Sequence, residues 1–182
     1  DYLCREGAAP FGAIEEGGYH HYATYLKRQI QVEAEEKVPE GKMAKLLYDM
    51  YQPDCAKYAE ESDVPQIYEL LLENFDLQAD HIPSEDDLLQ IVKEKEVMIY
   101  KIGDKIECFF IYRREGKKLY CAFSYNHASA DILYSIERRV KEIEYEENGI
   151  KMHYAWFNAE NKKALRRNAW KDTKIRDYIF VK

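Results

Sequence analysis

Glu107 and His127 are side chains with an atom that can accept a proton from a substrate, and Tyr178 is one with a hydroxyl that can donate. They are the candidates for acid–base chemistry, with His153 as a further base and Tyr154 as a further acid. A lone histidine or tyrosine in a strand is also the ordinary content of a sheet. Cys121 lacks a His or Lys placed by the sequence to make it a nucleophile. The run Asn126-His127-Ala128-Ser129-Ala130-Asp131 brings small residues to the start of a helix, where backbone N–H groups face outward and attract anions. Asp131 opposes this, since its carboxylate occupies the positive end of the helix dipole. The same run also reads as a plain Ser/Asp-capped helix. A basic run, Lys162-Lys163-Ala164-Leu165-Arg166-Arg167, reads either as a solvated face or as an anion contact. His20-His21 and the four scattered cysteines (Cys4, Cys55, Cys108, Cys121) have no metal-ligand spacing, and all four thiols are expected to be reduced.

The elements that position these residues follow from periodicity. After Gly17-Gly18, a Tyr-rich stretch to Val32 reads as one strand or two short ones. Met43, Leu46, Leu47 and Met50 predict a short helix within a linker that ends near Pro53. Lys57-Tyr58-Ala59 predicts a strand. Ser62 and Asp63 are expected to cap a helix with Pro65 in its first turn. Its buried stripe is read as Val64, Ile67, Tyr68, Leu71, Leu72 and Phe75. Ser84, with Asp87 three residues on, opens a second helix carrying Leu88, Leu89, Ile91 and Val92. Strands at 97–102, 106–113 and 119–125, joined by Gly103 and Gly116 turns, predict an antiparallel meander. A long helix from about Ser129 to Glu147 stops at Asn148-Gly149, with Ile132, Leu133, Ile136, Val140 and Ile143 facing inward. A strand at 150–157, a helix at about 159–168 and a strand at 175–181 complete the chain. Phe109, Ile111, Tyr154 and Trp156 are expected in the core.

The chain has 182 residues, 46% hydrophobic and 34% charged, enough for a core under a charged surface. Few glycines and prolines exclude collagen-like and low-complexity classes. No apolar run reaches the ~18 residues a membrane span needs. Residues 150–182 hold nine Lys/Arg against three acids, a net of +6, which leaves −13 for the rest at an overall −7. An acidic body with a basic end is unlike a general nucleic-acid binder, which needs a broad basic face. The chain starts at Asp1 rather than Met, which reads as a trimmed chain or as a piece of a longer product. Its opening residues show no leader pattern. Four scattered cysteines expected to be reduced thiols point to a cytoplasmic protein.

From residue 56 the order β-α-α-β-β-β-α-β-α-β resembles the GCN5-related N-acetyltransferase (GNAT) superfamily. Three stretches carry the resemblance: Ala59-Glu60-Glu61-Ser62-Asp63-Val64-Pro65-Gln66-Ile67 at the first strand and helix; Ile106-Glu107-Cys108-Phe109-Phe110-Ile111-Tyr112, with Cys108 where the family has Gly; and Asn161-Lys162-Lys163-Ala164, like its N-x-x-A helix. The resemblance implies an α/β (α+β) fold, with a mixed, mostly antiparallel twisted sheet flanked by helices. The divisions expected are an appendage at 1–55, carrying an extra strand and helix segment, and a GNAT-like domain at 56–182. Ile14 to Leu26 resembles the end of such a domain, so residues 1–55 read as the tail of a preceding repeat or as a strand covering a sheet edge.

The implied activity is transfer of an acetyl group from acetyl-CoA to an amine of a small molecule or peptide, without a metal. Nucleic acid and membrane are not expected as partners, and a homodimer is left open. The implied catalytic residues are Glu107, His127 and Tyr178. The implied cofactor set is Phe123, Tyr125, Ala128, Ser129, Ala130, Asp131, Asn161 and Lys162, with charge from Lys163, Arg166 or Arg167. Two departures weaken the match. The family's glycine-rich loop is the glycine-free Asn126–Asp131, and Asn168 stands where many members place an acidic Tyr. The alternative is a catalytically inactive GNAT-like binding module, with CoA binding weak or lost.

Overall fold

The computed structural model describes residues 2–5, 11–166 and 170–182. In chain order the elements are β1 (Tyr2–Arg5), α1 (Phe11–Glu16), β2 (His20–Gln31), α2 (Lys42–Asp49), β3 (Lys57–Tyr58), α3 (Val64–Asn74), α4 (Glu85–Lys93), β4 (Val97–Ile102), β5 (Lys105–Glu115), β6 (Lys118–Asn126), α5 (Ala130–Asn148), β7 (Met152–Asn158), α6 (Lys162–Leu165) and β8 (Lys171–Val181). The architecture is the expected mixed, mostly antiparallel sheet flanked by helices. Two compact units divide it: residues 1–30, 76–81 and 154–182 form the first, and residues 31–75 and 82–153 the second.

In the second unit, β3, β4, β5 and β6 pair antiparallel in sequence order. Gly103 and Gly116 adopt positive φ, as the expected tight turns demand. β5 is covered on both faces, and its two-residue alternation sorts its side chains between two cores. Phe109 and Ile111 join Val97 and Ile99 against Ile67 and Leu71 of α3 and Leu88 and Ile91 of α4. Cys108, Phe110 and Tyr112 join Met98 against Ile132, Leu133, Ile136 and Val140 of α5. Burial pushes the Cys108 thiol up to about 12, as an apolar site disfavours a thiolate. Cys55 and Cys108 are free thiols.

The helix boundaries follow local chemistry with some shifts. Ser84 caps α4 by accepting from Asp87 N, as expected. Gly149 ends α5 in the left-handed conformation. Asp63, however, does not cap α3. A 3-10 turn at Glu61–Asp63 precedes that helix, and the Asp63 carboxylate accepts from Glu60 N at 3.0 Å while pairing with Lys101. Leu72 is 42% exposed, a correction to the buried stripe, because it sits about 100° around the helix from Leu71. Phe75, Trp156 and Ile143 are partly rather than fully buried. The apolar face of α2 is outward, with Met43, Leu46 and Met50 exposed.

In the first unit β8 lies between β1 and β2, antiparallel to both. The Tyr-rich stretch forms one long strand, interrupted by irregularities at His21/Ala23 and Leu26/Arg28. Tyr22 and Tyr25 hydroxyls donate to Asp76 and Asp80 at 2.5 and 2.7 Å, which ties residues 76–81 to β2.

Candidate functional site

Pairing of β5 with β6 sets Cys108 opposite Asn126, so the chain leaving β6 passes directly over Glu107. The Glu107 carbonyl accepts from both His127 N and Ala128 N, at 2.8 and 3.2 Å. This double acceptance fixes the loop against the strand. The Glu107 carboxylate is then within reach of two nitrogen donors: Lys105 Nζ lies 2.7 Å from Oε1, and His127 Nδ1 lies 2.7 Å from Oε2. Lys105 first and His127 second hold the Glu107 carboxyl below the usual carboxylate range. An ionised carboxylate only accepts, so His127 donates from Nδ1, which leaves Nε2 with a lone pair. Glu107 is 12% exposed in its side chain and His127 is 67% exposed. A buried carboxylate thus orients an accessible imidazole, the arrangement a general base requires.

Three residues further on, α5 begins. An α-helix leaves its first four N–H groups without intrahelical partners, and no side-chain hydrogen bond from Ser129 caps this one. The expected Ser cap is therefore not made. Ser129 and Ala130 are exposed, and Ala128 and Ala130 put only methyl groups near the backbone. The Asn126 amide donates to Ser129 O at 3.1 Å and so braces the loop without using an N–H. Asp131 lies in the first turn, as read from the sequence, but Gln52 Nε2 approaches its Oδ2 at 3.4 Å from the side. This terminus fits a phosphate through its backbone donors and small side chains, and Asp131 subtracts from that fit.

The other sequence-derived residues have surroundings of their own. Phe123 and Tyr125 face the core shared with α3 and α4. Phe123 meets Phe75 edge-on at 5.0 Å, and Tyr125 stacks on Phe109 at 5.4 Å. His153 is buried beside the Phe110 ring, with Glu137 3.9 Å from its Nδ1. In the first unit, Asn161 caps its own short helix by accepting from Ala164 N at 3.0 Å, and Lys162 Nζ donates to Ala159 O. Tyr178 stands on β8, where its ring meets His21 edge-on at 6.1 Å, and Tyr154 lies under Lys27 at 4.2 Å. Arg167 and Asn168 lie outside the described residues. Lys105 and Gln52 are two site residues that sequence reading missed. Lys105 was legible, being two residues from Glu107 on one strand face. Gln52 was not, since it reaches Asp131 across 79 residues.

No family model matches the chain, and no curated protein matches it. Solved structures do. The chain is similar to a GCN5-related N-acetyltransferase from Sphaerobacter thermophilus, with a TM-score of 0.64 and 14% identity, over 96% of this chain and 56% of that one. A GCN5-related N-acetyltransferase from Kribbella flavida gives a TM-score of 0.56 and 11% identity, over 97% of this chain and 42% of that one. An acetyltransferase of the GNAT family from Colwellia psychrerythraea gives 0.55 and 11%, over 98% and 63%. At these identities the likeness is one of fold: the chain has the fold of the GCN5-related N-acetyltransferases. It spans about half the length of the first two proteins. Among the described residues no helix is long and apolar enough to cross a membrane.

Proposed function

We propose that this chain is an N-acyltransferase-like protein that uses acetyl-CoA and acts on an amine of a small molecule or peptide. The observation that carries this reading is the Glu107–His127 pair at the entry to α5, on a fold that its structural neighbours use for acetyl transfer. An alkyl amine is protonated at neutral pH and is a nucleophile only after losing that proton. His127 Nε2 removes it. Glu107, held ionised by Lys105, keeps the imidazole in the tautomer that can accept and stabilises the imidazolium that results. Acetyl-CoA, when bound, supplies a thioester carbonyl as electrophile. The backbone donors at the start of α5 would hold its phosphates, with Ala128, Ser129 and Ala130 lining the approach. Tyr178 stays a proposal for the general acid, and Asn161 and Lys162 stay proposals for cofactor contacts.

In the same reading residues 1–55 are an appendage to a domain at 56–182, the protein works in the cytoplasm, and a homodimer is open to test. A second reading, an inactive GNAT-like binding module, is favoured by the glycine-free loop and by Asp131. Titration calorimetry with acetyl-CoA decides between them. Saturable heat at about micromolar concentration, corresponding to roughly −8 kcal/mol, supports the transferase. Silence at about millimolar concentration leaves the binding module.

A further inference from the structure

One side of α2 is anchored and the other is bare. Ala44, Leu47 and Tyr48 are half-buried, and the Arg138 guanidinium of α5 lies 4.6 Å from the Tyr48 ring centroid. Just past the helix, the Tyr51 hydroxyl donates to Glu142 and Gln52 N donates to Ser135 Oγ at 3.0 Å. These contacts fix α2 to α5. On its other side Met43, Leu46 and Met50 are 69%, 49% and 42% exposed. Their spacing of three and then four is that of the a, d and a positions of a heptad, one apolar seam along two helical turns. Lys42 and Asp49 are seven residues apart, so both fall on the same flank of that seam, and both are exposed.

We propose that this face is an interface between two copies of the chain, which pair through α2 as an antiparallel, two-fold-symmetric helix pair. The charges select both the occupant and its direction. In an antiparallel pair each flank meets the same flank of the other helix, so Lys42 faces Asp49 of the second copy, and the symmetry makes that contact twice. Met43 packs on Leu46 of the second copy, again twice. A parallel pair would set Lys42 against Leu47 and offer it no opposite charge. Asp49 also receives Lys45 of its own helix at 2.8 Å, but a carboxylate has oxygens enough for both ammonium groups. Two copies at a net −7 each repel, and physiological salt screens that repulsion beyond about 8 Å while the seam acts in contact. Two turns of helix are only about 12 Å long, so the interface is small and the pairing weak and reversible. The functional reading leaves a homodimer open and names no surface for it; the pairing through α2 does not depend on acetyl transfer.

The test is sedimentation velocity on the full chain over a concentration series that reaches the submillimolar range. The wild type is expected to rise from monomer mass toward dimer mass. Leu46→Glu sets like charges in the seam and should raise the dissociation constant about tenfold or more. Its melting temperature at low concentration should not change, because Leu46 is exposed. Lys42→Glu and Asp49→Lys should each weaken self-association about five- to tenfold, since each sets like charges face to face. Lys42→Glu adds a carboxylate to the first turn of α2, which favours the helix, so its loss of pairing is not a loss of α2. Mixed together, these two variants oppose unlike charges at both flank contacts, and their mixture should associate as tightly as the wild type. A wild type that stays monomeric overturns the pairing and leaves the seam to a different macromolecule. Undiminished dimerisation of Leu46→Glu places the interface on another face and overturns it too. A mixture no tighter than either variant alone overturns the antiparallel arrangement. Calorimetry with acetyl-CoA is a separate measurement, so the pairing and the acyltransferase reading can each fail alone.

Discussion

His127 is exposed, and its only oriented nitrogen is the one facing Glu107. Replacing it removes the base but no packing. His127→Ala is therefore expected to lower kcat/KM for the acetylated amine by about 10²-fold or more, with the melting temperature unchanged, because general-base catalysis contributes on that scale. Glu107→Gln keeps the shape and loses the charge that orients the imidazole, so its loss of kcat/KM should be smaller. Equal rates for wild type and His127→Ala across the pH range would remove His127 from the reaction. Asp131→Gly makes the opposite prediction for binding. It removes a charge of the wrong sign from a helix end and should tighten CoA by about two- to fivefold in calorimetry. The candidates at 107, 127 and 131 were legible because their types and their place beside a helix start are local facts. Their pairing was not, because Glu107 and His127 are joined by the register of β5 on β6.

The two serines at helix starts separate what a local pattern promises from what the packed chain uses. Ser84 makes its cap bond to Asp87 N at 3.2 Å, and Ser84→Ala is expected to cost about 1 kcal/mol in urea unfolding. Ser129 makes no such bond, so Ser129→Ala should cost no more than a few tenths of that. A cost for Ser129 equal to that for Ser84 would mean that α5 is capped after all, and would close the donors proposed for a phosphate. Asp63 shows the same separation. It has the type and position of a cap, yet Lys101 and Glu60 N claim its carboxylate, and the helix starts without it. The stripe of α3 was legible at Ile67 and Leu71 and overextended at Leu72, since helical spacing marks the centre of a face better than its edge.

At the scale of the molecule, carboxylates in both units are held below their ordinary range. Arg176 holds Asp172 down at about 2. Lys105 and His127 hold Glu107 down. For Asp63, burial pushes upward, but the pull of Lys101 and the Glu60 N–H prevails. A depressed folded-state pKa stabilises the fold above the unfolded value of about 4 and ceases to do so as pH falls through the folded value. The melting temperature should therefore be flat from neutrality to about pH 5 and fall progressively below it. The fall should be smaller in Arg176→Met, in which Asp172 loses its nearest cation and keeps Lys174. A melting temperature that rises on acidification would contradict the sign of all three shifts.

Order and type of elements from β3 to β8 were determined by the sequence itself. The apolar run along 106–112, helical spacing along 132–140 and glycine at 103, 116 and 149 are local signals that each element carries whether or not it has met its neighbours. Even the two-sided burial of β5 is written there, as an apolar run without polar interruption between Cys108 and Tyr112. Tertiary structure alone decided which side chains those elements brought within bonding distance. His127 meets the Glu107 carboxylate because a strand pairing brings a loop back over it. Gln52 meets Asp131 because residues 48–52 lie along α5. Hydrogen bonds and ion pairs act over about 3 Å, far less than the error of any placement by periodicity. A sequence can therefore name the groups of a site, but their partners are settled only when the chain packs.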